Sequence, residues 1–141
     1  MAQINEKIAA EVENIEHVLA ELPEADAIEN LSPLELAGVA ALIHNFYNGV
    51  ENILKQLILS RELKIPEGSS WHKDLINISV TNGLISSSVA KLLREYLAFR
   101  HFFSHGYSFD LDANKIILLV KQIGHTYNCF AKDIKHLLKD S

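Results

Sequence analysis

Apolar residues recur every three or four positions along four long segments of this 141-residue chain. No segment shows the strict alternation of a half-buried β-strand, so the pattern predicts an all-α fold. The long segments cover about residues 4–22, 33–63, 86–106 and from 110 or 112 to 138, and a short helix is predicted at about 71–80. Short connections between long helices favour an antiparallel helical bundle of four to five helices, and the length is typical of a single domain spanning 1–141.

Capping residues and helix breakers mark the predicted ends of these helices. Ser32 and Glu35 form a capping box before the second segment, with Pro33 suited to its first turn. The other boundaries are predicted from Pro23, from the pair Pro66 and Gly68, from the Asn82-Gly83 turn, from the serine run 86–88, from Gly106, and from Asp110 or Asp112.

Negative charge is concentrated at the N-terminus of the chain. Residues 1–35 hold nine acidic residues and one basic residue, whereas residues 36–141 carry a balance of +3. We interpret 1–30 as an acidic helix whose charges face solvent. The net charge of −5 argues against a broadly basic surface for nucleic acid, although it permits a local positive cleft elsewhere.

Several classes of protein and site are disfavoured by what the sequence lacks. No apolar run reaches 18 residues and the first ten residues lack a signal-peptide core, so we expect a cytoplasmic protein with no membrane span. The single cysteine, Cys129, excludes an internal disulfide and is expected to be a free, buried thiol. No phosphate-binding loop, nucleophile elbow or paired-histidine motif is present, so neither a metal nor a cofactor is predicted. The isolated histidines are expected at the surface or at the boundary of the core: His17, His72, His125 and His136.

The second helix carries a line of polar residues within apolar surroundings: His44, Asn45, Asn48, Glu51 and Asn52. Positions 44, 48 and 52 step by four and share a helix face. The line is either the solvent-facing strip of an amphipathic helix or the lining of a cleft, and the local sequence leaves both open.

The stretch from Arg100 to Tyr107 carries the most informative chemistry. It places Arg100, His101, His105 and Tyr107 around the predicted end of a helix, before and after Gly106. A histidine can move protons near neutral pH, and an arginine can neutralise phosphate oxygens. Without metal ligands, this pair suits ribonuclease chemistry, in which the RNA 2′-OH attacks the adjacent phosphate and DNA is spared. On a straight helix, however, positions 100 and 105 diverge by about 140°.

Arg100-x4-His105-x-Tyr107 at the end of a bundle helix resembles the RX4HXY signature of the HEPN superfamily. More specifically, the chain is similar to the HepT toxins of HEPN/MNT toxin–antitoxin modules. The similarity covers most of the chain, including the second helix with Phe46, Tyr47 and Glu51, the Trp71-His72 segment, the motif helix and the last helix, and the acidic first helix is its least typical part. The resemblance implies a dimer whose two motifs face one cleft, and a metal-independent ribonuclease with Arg100 and His105 as catalytic residues. It implies a supporting role for His101, which takes a position where the family commonly has Asn. It also implies a minimal nucleotidyltransferase antitoxin that attaches AMP to Tyr107.

Two other functions stay open at this level. Some HEPN-like proteins are non-catalytic substrate-binding partners of nucleotidyltransferases, and a bundle without activity is the third possibility. The intact Arg-x4-His spacing favours the enzyme. A capping role for His105 at the helix C-terminus is the structural alternative at that position. The long second helix also suggests apolar surface in excess of what one chain covers, which a homodimer would bury.

Overall fold

The computed structural model describes residues 2–105 and 111–139, and these residues form a helical bundle without a β-strand. The prediction of an all-α fold is confirmed. The described ranges contain five α-helices and one 3₁₀ helix: α1 (Ala2–Glu21), the 3₁₀ helix (Ala25–Asn30), α2 (Pro33–Ser60), α3 (Trp71–Thr81), α4 (Ser87–Ser104) and α5 (Ala113–Lys139).

The ends of α2 are set by two different devices. At its start, the Ser32 hydroxyl accepts from the Glu35 backbone N–H and the Glu35 carboxylate accepts from the Ser32 N–H, which confirms the capping box. At its end, the Leu63 N–H donates to the Ile58 carbonyl and Glu62 adopts a left-handed conformation with φ 59°. This reversal normally uses glycine, so the sequence carried no signal for it. The predicted end near residue 63 was therefore too late.

Side-chain caps also fix the start of α4 and α5, and one of them joins the two helices. The Ser86 hydroxyl accepts from the Val89 N–H, and the Ser86 N–H donates to the Asp133 carboxylate of α5. Asp112 accepts from the Asn114 N–H at the first turn of α5. Of the two predicted caps, Asp112 is confirmed, whereas Asp110 lies outside the described residues.

The contacts between helices show an antiparallel arrangement. Tyr96 of α4 donates its hydroxyl proton to the Leu119 carbonyl of α5, and the Ser86–Asp133 contact lies toward the opposite ends of the same pair. Helix α1 crosses α2 closely at Gly49, where an added Cβ would lie 2.7 Å from Cγ1 of Ile15. Glycine at this position therefore allows the two helix backbones to approach.

One hydrophobic core draws buried residues from every helix of the bundle. It covers the apolar stripe of α2 almost completely, because the side chains from Val39 to Ile58 on that face are at most 5% exposed. Leu34 and Leu59 are the large apolar side chains of α2 that remain exposed. The expectation that α2 has apolar surface to spare is therefore wrong, because α1, α3, α4 and α5 pack around it within one chain.

The acidic N-terminal segment is two elements rather than one helix. Helix α1 ends at Glu21, before Pro23, and the 3₁₀ helix buries Ile28 against α5. The acidic side chains of these elements are exposed except for that of Glu11, which is half-buried, so the predicted solvent-facing acidic surface is confirmed. In the part of the chain that the structure describes, no helix combines the length and apolar character needed to cross a membrane.

Candidate functional site

A polar stripe on α2 faces α3 and α4, and its register differs from the predicted one. His44, Asn48, Glu51 and Lys55 follow each other at steps of four, three and four, and each makes a contact with α3 or α4. A helix turns 100° per residue, so residues spaced repeatedly by four move gradually away from one face. Residues spaced alternately by four and three stay on the same face. Asn52 accordingly points elsewhere and donates to Glu11 of α1. Asn45 is exposed.

Arg100 of α4 lies against this stripe. Its Nε–H donates to Oδ1 of Asn48 at 3.3 Å, and the same Nε lies 3.8 Å from Oε1 of Glu51. The side chain is 23% exposed, and its two terminal amino groups have no hydrogen-bond partner among the described residues. Those amino groups present the planar fork that binds phosphate oxygens.

Glu51 lies beneath Arg100 as a buried carboxylate between two nitrogen-containing side chains. Its side chain is only 3% exposed, and Oε2 lies 2.7 Å from Nδ1 of His72 on α3. Lys55 lies over the Trp71 ring at 4.1 Å, a cation–π contact that holds the start of α3 against α2. The pairing of Glu51 with both His72 and Arg100 offsets the cost of burying its charge.

His44 and Ser104 extend this arrangement toward the end of α4. Asn48 donates from Nδ2 to Nδ1 of His44 at 3.4 Å, so Nε2 of the neutral ring carries the proton and faces the Ser104 hydroxyl at 3.5 Å. Burial and the nearby Arg100 guanidinium lower the pKa of His44 below the ordinary value of 6.5. We call these six connected side chains the Arg100 network: His44, Asn48, Glu51, His72, Arg100 and Ser104.

Tyr47 lies on α2 next to the Arg100 network, and its hydroxyl is buried without a hydrogen bond of good geometry. Burial, followed by the Glu51 carboxylate, raises the pKa of Tyr47. Its phenol therefore stays neutral at physiological pH and adds no charge to the site.

His105 and His101 lie on a neighbouring face of α4 and are exposed. His105 is the C-cap residue of the helix, and its Nδ1 lies 2.7 Å from the carbonyl oxygen of His101. A carbonyl only accepts, so Nδ1 carries a proton and Nε2 of the neutral ring keeps its lone pair. The two rings pack at 4.1 Å between centroids, because residues four positions apart on a helix lie on the same face. The capping contact anticipated as the structural alternative is thus present, and it also orients the imidazole.

The structure does not bring Arg100 and His105 into contact within one described chain. Arg100 points to α2, whereas His105 turns back onto its own helix end. Helix α4 ends at Ser104, and His105 follows as its C-cap, so the end of the helix does not turn the two side chains toward each other. Gly106 and Tyr107 lie outside the described residues. Of the other tyrosines, Tyr47 and Tyr96 are fully buried and Tyr127 is half-buried.

The remaining candidate ligands do not assemble into a metal centre. Among residues 2–105 and 111–139, no group of three or more His, Cys, Asp or Glu side chains is placed to hold a metal ion. His17, His125 and His136 are exposed, as expected. Cys129 is half-buried rather than buried, because its Sγ lies at the edge of α5 beside His125, 3.6 Å from Nε2.

Most of the chain matches a known protein family. A family described as HepT-like protein matches residues 38–140. The chain belongs to the HepT-like family. The matched range begins inside α2 and leaves out α1 and the 3₁₀ helix, in agreement with the acidic segment being the least typical part. Searches of curated proteins and of solved structures gave no significant match.

The HepT-like assignment supports a HEPN-type toxin, and the structure pairs two residues to which the sequence analysis gave no role in the site. Glu51 was one member of an undecided polar line, and His72 was expected to be an isolated boundary histidine. Their pairing joins positions 21 residues apart, across α2 and α3. Neither helical spacing nor a local motif indicates such a contact. The one hint in the sequence was the position of an acidic residue, Glu51, among the apolar residues of the second helix.

Proposed function

We propose that this HepT-like protein is a metal-independent endoribonuclease toxin of a type VII-like HEPN/MNT toxin–antitoxin system. The observation that supports this most is the state of Arg100. Its Nε is held by Asn48 beside Glu51, while neither terminal amino group has a hydrogen-bond partner among the described residues at this partly exposed position. A fixed arginine fork with unused donors is suited to a phosphodiester.

The reaction follows from the groups present at the end of α4. His105 keeps Nε2 free because its Nδ1–H is bound to the His101 carbonyl, and this nitrogen accepts the proton of the RNA 2′-OH. The 2′-oxygen attacks phosphorus, the bond to the 5′-oxygen breaks, and a 2′,3′-cyclic phosphate and a 5′-OH end result. Arg100 stabilises the negative charge that builds on the phosphoryl oxygens. DNA lacks the attacking hydroxyl and is not cut.

Dimerisation gives the two separated groups of one chain a common cleft. The divergence of Arg100 and His105 on α4 means that a single chain does not direct both at one phosphate. In a two-fold dimer the motifs of both copies meet, so that Arg100 of one copy and His105 of the other act together. The doubled basic groups also concentrate positive potential in a chain whose total charge is −5.

A minimal nucleotidyltransferase antitoxin is proposed as the cognate partner, with Tyr107 as the residue it modifies with AMP. An attached AMP brings a negative charge and an adenine ring beside the cleft, where it occupies the phosphate positions of RNA and repels the backbone. The proposed setting is the cytoplasm, where RNA substrate and ATP are both present.

One observation favours a second candidate function, a non-catalytic partner that binds substrate for a nucleotidyltransferase. The exposed His105 makes the helix-capping contact that a purely structural histidine would also make. The two functions separate when RNA cleavage by the purified protein is measured.

The decisive test compares Arg100→Ala and His105→Ala with the wild type in RNA cleavage. Each variant is expected to lose at least about 100-fold in rate, the usual contribution of a proton-transfer or charge-stabilising group. His105 is exposed, so thermal unfolding of His105→Ala should change little, whereas Arg100→Ala removes a partner of the buried Glu51 carboxylate and its rate is corrected for the folded fraction. His17→Gln, on the exposed face of α1, is the matched control. Near-wild-type cleavage by either variant would contradict the mechanism. Loss of wild-type cleavage in the presence of a chelator, restored by a divalent metal, would also contradict it.

The proposed modification is tested by co-expression with the cognate nucleotidyltransferase and ATP. Intact-mass analysis should show added AMP, and peptide mapping should place it on Tyr107. Tyr107→Phe should escape the modification, because the phenolic oxygen is the nucleophile. Neutralised toxin with an unmodified Tyr107 would instead indicate inhibition by direct binding.

A further inference from the structure

We propose that His72, oriented by Glu51, is the second proton-transfer residue of this site and acts as the general acid that protonates the leaving 5′-oxygen. The assignment rests on the ribonuclease function proposed above and extends it to a residue outside the Arg-x4-His-x-Tyr motif. Glu51 is a positioning residue in this assignment, because it acts through His72 and Arg100.

The chemistry of RNA cleavage requires two proton transfers. One group removes the proton of the 2′-OH, and another supplies a proton to the 5′-oxygen as its bond to phosphorus breaks. The attacking and leaving oxygens lie on opposite sides of phosphorus, so the base and the acid must approach from different sides. The motif offers His105 for one transfer and leaves the other unassigned.

The contact between His72 and Glu51 has the geometry of an oriented acid–base histidine. Nδ1 of His72 lies 2.7 Å from Oε2 of a carboxylate whose side chain is 3% exposed, and a carboxylate accepts only. Nδ1 therefore carries the proton, and Nε2 is left for substrate. The His72 side chain is 20% exposed, and its ring packs on Trp71 at 3.6 Å, so that it is both held and accessible.

Glu51 also connects His72 to the phosphate-binding arginine. Its second oxygen lies 3.8 Å from Nε of Arg100, so one carboxylate stands between the two side chains. A phosphate held by the free amino groups of Arg100 is thereby brought near His72 on the α3 side of the site. In the proposed dimer, His105 of the other copy reaches this phosphate, so the base and the acid come from different chains.

The other histidines of the described chain are less suited to this role. His44 has both ring nitrogens engaged, by Asn48 and Ser104, and because its pKa is lowered, less of the ring carries a proton to donate at a given pH. The ring of His101 packs on His105, away from Arg100. His17, His125 and His136 lie on the exposed faces of α1 and α5, outside the Arg100 network.

The proton balance of the proposed step is complete. His105 enters neutral and takes the 2′-OH proton at Nε2 as the bond from the 2′-oxygen to phosphorus forms. His72 enters protonated and gives its Nε2 proton to the 5′-oxygen as the phosphorus–oxygen bond breaks. The Nδ1–H of His72 donates to the Glu51 carboxylate throughout. This hydrogen bond is charge-assisted while the imidazole is protonated.

The test uses an oligoribonucleotide that the full-length wild-type protein cleaves, and the same oligonucleotide with sulfur replacing the 5′-bridging oxygen at the cleaved position. A thiolate leaves without protonation, so a variant that lacks the general acid regains activity on the sulfur substrate. His72→Gln is expected to lose at least about 100-fold in kcat on the oxygen substrate and to stay within about tenfold of wild type on the sulfur substrate. His105→Gln should be defective on both.

The ratio of the two rates keeps the test valid if His72→Gln is partly unfolded, because both substrates report on the same folded fraction. His72→Asn gives a second reading of that ratio, and the exposed His17→Gln should match wild type on both substrates. If His72→Gln loses equal activity on both substrates, or cleaves the oxygen substrate like the wild type, the assignment of His72 is wrong. The ribonuclease function would still stand. No cleavage by the wild type would overturn the ribonuclease function and this assignment together.

Discussion

Asn48 shows how a single side chain sets the geometry of its neighbours. Its amide oxygen accepts from Arg100 and its amide nitrogen donates to His44, so each end of the amide has one compatible partner. An aspartate here would lose the donor to His44, and a leucine would lose both contacts. The amide thus orients a cation and keeps a neighbouring imidazole neutral without adding charge of its own.

The lowered pKa of His44 predicts a pH-dependent contribution to stability. Because the folded pKa lies below 6.5, the unfolded chain binds the proton more readily, and stability falls as pH drops below about 6.5. His44→Gln removes the titrating group while keeping an acceptor for Asn48 and a donor for Ser104. Urea unfolding at pH 5.5 and 7.5 should therefore show a smaller pH-dependent loss in His44→Gln than in wild type. An identical loss in both proteins would contradict the burial of a neutral His44.

Helix α2 organises the molecule because its faces serve different partners. Its apolar face is buried in the core, its polar stripe meets α3 and α4, and Gly49 lies against α1. The contacts of Glu11 with Asn52 and of Ile15 with Gly49 lie along the same α1–α2 crossing. The site therefore depends on a helix whose position is fixed from several directions.

The close crossing at Gly49 is tested by a matched pair of glycine substitutions. Gly49→Ala places a Cβ 2.7 Å from Cγ1 of Ile15, so an overpacking cost of about 1–3 kcal/mol should outweigh the gain of about 1 kcal/mol in helix propensity. Gly124→Ala, in α5 with open space around it, should instead raise the free energy of unfolding by about 0.5–1 kcal/mol. Chemical denaturation measures both. A stabilised Gly49→Ala would show that α1 adjusts freely.

The whole molecule separates its charge by region. Acidic side chains of α1 and the 3₁₀ helix face solvent, whereas Arg100, His101 and His105 gather toward the end of α4. The apolar stripe of α2 is covered within one chain, so burial of that stripe no longer argues for a dimer. The proposed dimer therefore depends on the separation of Arg100 from His105 within a single chain.

Mixing two inactive variants tests the proposed dimer and its shared cleft. Arg100→Ala and His105→Ala chains, each inactive alone, should recover cleavage when co-refolded, because one of the two sites in a mixed dimer then holds both intact groups. Light scattering at micromolar concentration should give the mass of a dimer. A fully active monomer, or mixed dimers without activity, would contradict the shared site.

The sequence by itself determined the all-α fold, the capped start of α2 and the start of α4. These features depend on contacts within about four residues, which periodicity and capping motifs report directly. The end of α2 at Ser60 and the 3₁₀ helix were missed, since a left-handed Glu62 and a short turn carry no strong residue signal. The motif from Arg100 to Tyr107 could likewise be read from spacing, but not the direction of its side chains.

Only the tertiary structure decided which polar residues share a site. The polar line on α2 could have been a solvent-facing strip or the lining of a cleft. The packing of α3 and α4 decides this, because it buries Glu51, whereas Asn52 stays exposed on another face. The pairing of Glu51 with His72, and of Asn48 with Arg100, joins residues 21 and 52 positions apart. Such contacts arise because helices burying their apolar faces bring their polar edges together, and the arrangement of whole helices sets those edges rather than any local pattern.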